Sequence, residues 1–551
     1  MSSNYSAIST TQSIFESIVG NTDNSLPSDA RSLADKVHFS TGFADNSESD
    51  LLVLPCPFKE CEVISALKGV EGSVANAIGK LRYGFEQTVD IEMYHASLFL
   101  LMAYVASVNG HNKLDKGVKK YLKDTDLLAA QSDLYRRMSA NLYRTKDSRY
   151  YHIHGSLEAS TTLKMIGLPS HSDLSDYDEI VDYIGTAVSK FTAAELEELN
   201  RQYRQAGTTA LTQEQFLATP HGKEIASLPP WEVTTLETTS PKVPFSEPAG
   251  ISGKPQILEG FKVVEMCRII AGPTIGRILA EYGAKVIKVT SPNLSDVPFF
   301  QVDGNTGKHT TDIDIKTADG RQQFEALIAD ADIILDGYRT NALKKLGYGP
   351  DDFAKRGRDR GKGYIYVSEN CFGFKGEWSY RPGWQQIADC VSGLAWAQGR
   401  ALGREEPIIP PFPMSDYGTG CIGAIAALDA VYKRATVGGS YWANTSLVQY
   451  DLLLMAQGQY PNEIWQTIKD KNKDMQAIRY YDSVDAISST ALKALLNGKI
   501  LDRLSSYLTK FDSPGFNGEV KVLSPVVKMD KTRNGFNETS RPNGYDKPVW
   551  W

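Results

Sequence analysis

The chain has 551 residues, 42% hydrophobic and 23% charged. These values lie near the globular average, exclude a disordered or fibrous protein, and leave room for three to four domains at about 150 residues each. Lys plus Arg total 59 and Asp plus Glu 66, a net charge of −7 with no basic block to neutralise a phosphate backbone, so no nucleic-acid partner is expected.

Met1 to Ser28 is rich in Ser, Thr, Asn and Asp, and no secretory signal is legible in it. The spacing predicts a helix over Val63 to Leu81 and a buried core helix over Met93 to Val108, apolar nearly all round but too short to cross a bilayer. From Asp115 to about Glu237 the composition turns polar, with a strand at Tyr150 to His154 and helices near Thr192 to Gln205 and Thr212 to Phe216. Six prolines between Pro229 and Pro255 mark the main linker.

Beyond the linker, strand-like and helical segments alternate. Lys262 to Met266, Lys285 to Val289, Ile313 to Ile315, Ile333 to Leu335 and Tyr364 to Val367 read as strands, and Thr274 to Tyr282 and Ala318 to Ala329 as helices. The pattern predicts a parallel sheet with helices on both faces. The first turn, Cys267 to Thr274, places Gly272 in a tight turn and Pro273 at a first helical position, but it lacks the G-x-G-x-x-G spacing that seats a dinucleotide pyrophosphate.

Six cysteines, at 56, 61, 267, 371, 390 and 421, form neither a disulfide framework nor zinc spacing, which fits a reducing compartment and no metal. Pro57 to Leu101 overlays on Pro411 to Met455 without gaps, each stretch a proline turn, an acidic residue, a helix ending at Gly and an apolar helix. Glu62 then falls on Asp416, which suggests a duplicated unit. Asp416 itself lies between the stiff Ile408 to Pro413 run and a Gly-rich helix start. A helix N-terminus favours an ionised carboxylate by about 0.3–1 kcal/mol, and Gly418 and Gly420 could let an ester approach backbone N–H donors. Asp416 could equally be a plain N-cap.

Val263 to Pro273 and Tyr282 to Val289 resemble the opening of the class III CoA-transferases, the CaiB/BaiF family. Asp312 to Thr317, Ala331 to Arg339, Leu346 to Tyr348, Phe372-Gly373 and Arg381-Pro382-Gly383 resemble its later landmarks in order. Tyr143 to Asp147 and the stretch to Pro230 look like the family's later domain, here placed first, so the chain resembles two fused, trimmed copies.

The resemblance implies Asp416 as nucleophile toward a CoA thioester, giving a mixed anhydride and then an aspartyl-CoA thioester. It also implies CoA contacts at Arg268, Ile269, Lys316 and Lys345. Racemases of the family use a His beside the R-P-G landmark; Trp384 stands there, which favours acyl transfer over proton exchange. His152 and His154, alternating on their strand, are either a base from elsewhere or a structural pair.

The expected fold class is α/β: a doubly wound parallel, Rossmann-like sheet plus a smaller α+β domain. The division is a polar N-terminal segment 1–50, a helical core segment 51–110 that reads as a partial repeat, a smaller α+β domain 111–240, a linker 241–258, the Rossmann-like domain 259–455 and C-terminal helices with a return segment 456–551. The expected activity is movement of coenzyme A between an acyl-CoA and a carboxylic acid, in the cytoplasm, without membrane or nucleic acid, by a monomer or homodimer. Proton transfer at Asp416 without CoA and a non-catalytic scaffold are the other readings.

Overall fold

The computed structural model describes residues 5–43, 48, 51, 54–246, 253–497 and 501–551. Parts of the 1–50 segment and of the 241–258 linker therefore lie outside the described residues.

The polar N-terminus still carries a helix, α1 (Ala7–Gly20), capped by Ser6 and buried through Ile14, Phe15, Ile18 and Val19. It packs on α2 (Glu60–Tyr83), which ends on Gly84 in the left-handed region. Strand β1 (Val37–Ser40) runs parallel to β2 (Val89–Glu92). The helix expected over Met93 to Val108 is broken into α3 (Met93–Phe99) and α4 (Met102–Val105), followed by extended chain. Burial on all sides makes the run apolar, and the break comes where the Ala103 N–H donates to the Tyr417 hydroxyl at 3.0 Å instead of to a helical carbonyl.

The smaller α+β unit has the antiparallel strands β3 (Ala140–Arg144) and β4 (Tyr150–His154). Helices α5 (Ala159–Met165), α6 (Tyr177–Val188) and α7 (Ala193–Tyr203) close its own core around Tyr143, Tyr151, Leu163, Ile180 and Leu196. Helix α7 starts on a Thr192/Glu195 capping box, which satisfies two orphan N–H groups at once.

Strand β5 (Trp231–Glu237) ends the segment read as the smaller domain, yet it joins the large sheet. That sheet continues with β6 (Lys262–Met266), helix α8 (Ala271–Glu281), β7 (Lys285–Thr290), β8 (Lys308–Asp312), helix α9 (Ala318–Asp330), β9 (Ile333–Asp336), helix α10 (Pro350–Arg360) and β10 (Ile365–Asn370). After helix α11 (Gln385–Ser392) come the long helix α12 (Met414–Thr436), β11 (Ser440–Ser446) and α13 (Leu447–Ala456). The strand order is β8-β7-β6-β9-β10-β11-β5, parallel except for the antiparallel edge strand β5.

The strand expected at Ile313 to Ile315 is instead Lys308–Asp312. Ile313 and Ile315 fill the core beneath the sheet from a turn. The true strand reads KHTTD and carries no apolar signal, because Lys308 pairs in the interior with Glu265 of β6 at 2.6 Å, both side chains fully buried.

Near the C-terminus, β12 (Leu508–Ser513) and β13 (Gly518–Leu523) form a hairpin, and β14 (Lys528–Met529) adds antiparallel to β2. The N-terminal sheet β1-β2-β14 thus repeats the arrangement of β10-β11-β5: a parallel pair with an antiparallel edge. The overlay seen in the sequence extends to the elements. Its offset carries Glu60, which opens α2, onto Met414, which opens α12, and Met93, which opens α3, onto Leu447, which opens α13. The shared glycines 69 and 423 each sit where a Cβ would strike a neighbouring element, Phe39 and Phe15 in one case and Ile275 of α8 in the other. All six cysteines are buried, and no disulfide joins them. Among the described residues, no helix is long and apolar enough to cross a membrane.

Candidate active site

In an open parallel sheet, ligands bind beyond the strands' carboxyl ends where the strand order reverses. Here the reversal falls between β6 and β9. Arg268 to Ile270 after β6, Gly337 to Arg339 after β9 and Glu369 to Cys371 at the end of β10 surround a cavity of about 260 Å³. The Arg268 guanidinium donates to the Ser295 carbonyl at 2.7 Å and lies 5.5 Å from the centre of the Tyr338 ring. Arg339 and Arg381 add two more cations. Arg381 also donates to Glu197 at 2.8 Å, tying α7 of the smaller unit to the cavity wall.

Ile269 adopts φ +71°, a left-handed conformation that is strained for a β-branched residue and recurs at functional sites. Gly272 proves necessary for close approach rather than for φ. A Cβ there would lie 2.5 Å from Cys267 Sγ, and one at Gly337 would lie 2.6 Å from Glu369 Oε1. These two glycines leave room for the Glu369 carboxyl at the N-terminus of α8. Burial, with the Asp416 and Asp336 carboxylates adding, pushes Glu369 up to about 8, so at neutral pH it is chiefly a protonated hydrogen-bond donor.

Asp416 lies in the first turn of α12, but it is not the cap. Pro413 holds that position without a side-chain cap bond, and Phe412 before it is left-handed at φ +64°. Among the described residues no hydrogen bond to the Asp416 carboxylate is formed, and the side chain faces the cavity, partly exposed. The small stabilisation of the ionised form expected from the helix N-terminus is outweighed: burial first, then the Asp451 carboxylate, raise the carboxyl from 3.8 to about 7. The helix effect, about 0.3–1 kcal/mol, is less than one pKa unit.

Gly418 and Gly420 are also reassigned. A Cβ at Gly418 would lie 2.0 Å from the Tyr450 ring, and one at Gly420 2.5 Å from Thr274. Both are buried where α12 meets α13 and α8, so they serve helix packing and do not form an open oxyanion cradle.

Behind Asp416 stands a buried acidic group. Ser415 Oγ lies 2.7 Å from Asp389 Oδ1 and 2.7 Å from Asp451 Oδ1. One hydroxyl hydrogen cannot serve both carboxylates, so one of the two acids carries a proton and donates back to Ser415. Burial holds both above the ordinary carboxylate range, Asp451 at about 7. Ser392 donates to the other oxygen of Asp451 at 3.0 Å, and Gln385 donates to Asp389.

A second and larger cavity, about 710 Å³, also reaches Asp416 and shares Ser156, Leu157, Ile269, Ile270 and Trp384 with the first. Trp384 donates to Ser156 Oγ at 2.9 Å and stacks on His154 at 5.4 Å. His154 lines this larger cavity. Burial, then His152, hold it well below the usual histidine range, and its Nδ1 accepts from the Ser156 N–H. His152 is buried, pushed down by burial, and lines neither cavity.

Of the residues expected at the site, the structure brings Asp416, Arg268 and Ile269 together. Lys316 and Lys345 are exposed and line neither cavity. Glu369 was not foreseen, nor was the part played by Arg381, although the Arg381-Pro382-Gly383 landmark marks the latter.

Glu62, the counterpart of Asp416, faces no equivalent opening. Its two oxygens accept from the Tyr5 and Tyr460 hydroxyls at 2.6 and 2.7 Å, and burial raises its carboxyl.

An unpaired carboxylate facing a cavity at the switch point of this sheet marks the candidate active site of an α/β enzyme. The comparisons give its family. Residues 258–495 match the model of CoA-transferase family III. The chain is 35% identical over 513 residues to the acetyl-coenzyme A transferase nodX of Hypoxylon pulicicidum, covering 90% of this chain and 86% of that protein. It is 31% identical over 503 residues to an acyl-CoA transferase of Gibberella moniliformis, covering 88% and 86%. Among solved structures, a CaiB/BaiF family protein from Brucella suis is 19% identical, with a TM-score of 0.39 over 53% of this chain and 97% of that one. The chain belongs to CoA-transferase family III and is a CoA-transferase.

Proposed function

We propose that the enzyme moves CoA from an acyl-CoA thioester to a carboxylic acid through acyl intermediates on Asp416. The observation that carries this reading is the place of Asp416: an unpaired carboxylate at the junction of two cavities, one of them walled by Arg268, Arg339 and Arg381.

The ionised Asp416 attacks the thioester carbonyl. The C–S bond breaks, leaving a mixed anhydride and CoA thiolate. The thiolate returns to the aspartyl carbonyl, forming aspartyl-CoA and releasing the donor acid. The acceptor carboxylate then attacks aspartyl-CoA, and the thiolate attacks the acceptor carbonyl of the new anhydride, restoring Asp416. Each step exchanges one activated acyl bond for another, so no nucleotide hydrolysis is needed.

The arginine-walled cavity suits the polar CoA arm and the larger one the acid. Protonated Glu369 supplies a donor beside the reacting carboxylate. Lys316 and Lys345, on the surface beyond the strand ends, are assigned to the nucleotide end of CoA. The similarity to an acetyl-coenzyme A transferase of H. pulicicidum supports acetyl-CoA as one donor to test. Six buried cysteines not joined by disulfides support a cytoplasmic setting.

The test is mass spectrometry of the Asp416 peptide after incubation with acyl-CoA and trapping with hydroxylamine or borohydride. Adduct formation during turnover is expected; an unmodified peptide in an active enzyme refutes the intermediate. A second reading, proton transfer at a substrate α-carbon, is favoured only by His154 sharing the larger cavity with Asp416. Solvent deuterium in recovered acid without CoA exchange would select it.

A further inference from the structure

Asp416 has no hydrogen-bonding partner among the described residues, so its aim depends on the backbone that carries it. That backbone is an uncapped helix start. Pro413 has no N–H and no side-chain cap bond, and Phe412 before it is left-handed, a conformation that persists in a non-glycine residue only when its surroundings hold it. Ser488 holds the Phe412 N–H at 2.9 Å from outside the helix. Within the first turn of α12, the anchor is Ser415.

The Ser415 hydroxyl lies 2.7 Å from Asp389 Oδ1 on α11 and 2.7 Å from Asp451 Oδ1 on α13, so three helices meet at one oxygen. All three side chains are buried. The second oxygen of each acid is also occupied, that of Asp389 by the Gln385 amide and that of Asp451 by the Ser392 hydroxyl at 3.0 Å. The titratable groups facing the pair are Asp416 on α12, Glu60 at the start of α2, which accepts from the Tyr450 hydroxyl at 2.6 Å, and the thiols of Cys56, Cys371 and Cys390. Among the described residues no cation is paired with either acid.

Two carboxyls that share a buried site without a cation do not both ionise. With one proton retained, the protonated acid donates to Ser415 and Ser415 donates to the carboxylate, a charge-assisted bond roughly twice as strong as a neutral one. Loss of that proton would leave one hydroxyl hydrogen for two anions, and one side of the anchor would open.

Resting on the acyl transfer proposed above, we infer that Ser415, Asp389 and Asp451 are positioning residues: sharing one proton that never leaves them, they clamp the first turn of α12 to α11 and α13 and aim Asp416 at the thioester carbonyl. The nucleophile is held from behind, so both of its oxygens stay free for the reaction. None of the three makes or breaks a bond to substrate.

The experiment uses the full-length enzyme. Exchange of labelled acetate into acetyl-CoA, which needs no second acid, gives kcat and the KM for acetyl-CoA. Ser415→Ala and Asp389→Ala are each expected to lower kcat at least about 30-fold with KM within about threefold of wild type, since a displacement of about 1 Å costs up to ~10²-fold. Asp389→Asn keeps a donor to Ser415, an amide N–H in place of the acid O–H, and is expected to recover kcat to within about tenfold of wild type. Infrared difference spectra at pH 9, above the values of about 7 at Asp416 and about 8 at Glu369 and Glu60, should show one protonated carboxyl in wild type that Asp389→Asn lacks.

An unchanged kcat in Ser415→Ala, a loss carried by KM instead of kcat, or an Asp389→Asn variant as impaired as Asp389→Ala with its thermal unfolding unchanged would overturn the inference. So would identical carboxyl bands in wild type and Asp389→Asn, a comparison that needs no substrate. A wild-type enzyme that acetyl-CoA does not label at Asp416 is a separate result: it removes the covalent mechanism, and the infrared band still decides whether the three residues share a proton.

Discussion

In the acyl transfer proposed above, the raised Asp416 carboxyl sets the pH at which attack on the thioester begins. With the group at about 7, about half of the free enzyme carries the attacking carboxylate at pH 7 and about one tenth at pH 6. The kcat/KM for acyl-CoA should fall tenfold per pH unit below that point, peak between about pH 7 and 8, and decline above it as Glu369 loses its proton. The same shift acts on stability. The folded protein holds the Asp416 proton above pH 3.8, where the unfolded chain has lost it, so the native state binds more protons between about 4 and 7 and stability declines as pH rises through that window. A rise from 3.8 to about 7 corresponds to at most about 4 kcal/mol, and water in the open cavity reduces it to ~1–2 kcal/mol. Asp416→Asn removes the cost, so its advantage in denaturant unfolding should be small near pH 4, grow up to pH 7 and stay constant beyond. Single-turnover release of CoA thiol between pH 5.5 and 8.5 tests the first effect and paired unfolding curves the second. A rate flat down to pH 5.5, or a stability gap independent of pH, refutes the reasoning.

Asp451→Asn should move the acidic limb of that profile to lower pH, because the Asp451 charge is one of the two causes raising Asp416; an unmoved limb would mean that Asp451 is the protonated partner of Ser415. Gly418→Ala should cost about 1–3 kcal/mol by overpacking against the Tyr450 ring, readable as a lowered urea midpoint with unchanged slope. Glu62→Ala should remove the acceptor of the buried Tyr460 hydroxyl and of the half-buried Tyr5 hydroxyl and cost about 1–3 kcal/mol, while Asp416 labelling stays at one adduct per chain; loss of labelling in the folded variant would give Glu62 a part in the chemistry.

What could be read before the structure was whatever local pattern dictates. Strands β6, β7, β9 and β10 announce themselves through runs such as KVVEM and IILD, and the Pro-rich approach to Asp416 marks a stiff turn. Strand β8 escapes because it stabilises its buried face with an ion pair instead of aliphatic side chains. The break between α3 and α4 depends on a tyrosine more than three hundred residues away. Glu369 reaches the site only because Gly272 and Gly337, following two other strands, leave space for it. Gly418 and Gly420 mislead for the opposite reason: flexibility and close packing leave the same residue in a sequence, and only the neighbours Tyr450 and Thr274 distinguish them.

The sheet at the front of the chain is finished by its tail. Strand β14 pairs with β2 across more than four hundred residues, and Val527 beside it lies against the Gly72 face of α2. During synthesis, the amino-terminal half must therefore leave the ribosome with one strand edge open and wait for nearly the whole polypeptide before it is sealed. Such long delays expose unpaired backbone to neighbours. A premature stop that removes only the final thirty residues should leave the distant amino-terminal edge bare, turning a trim at one end into insolubility caused at the other.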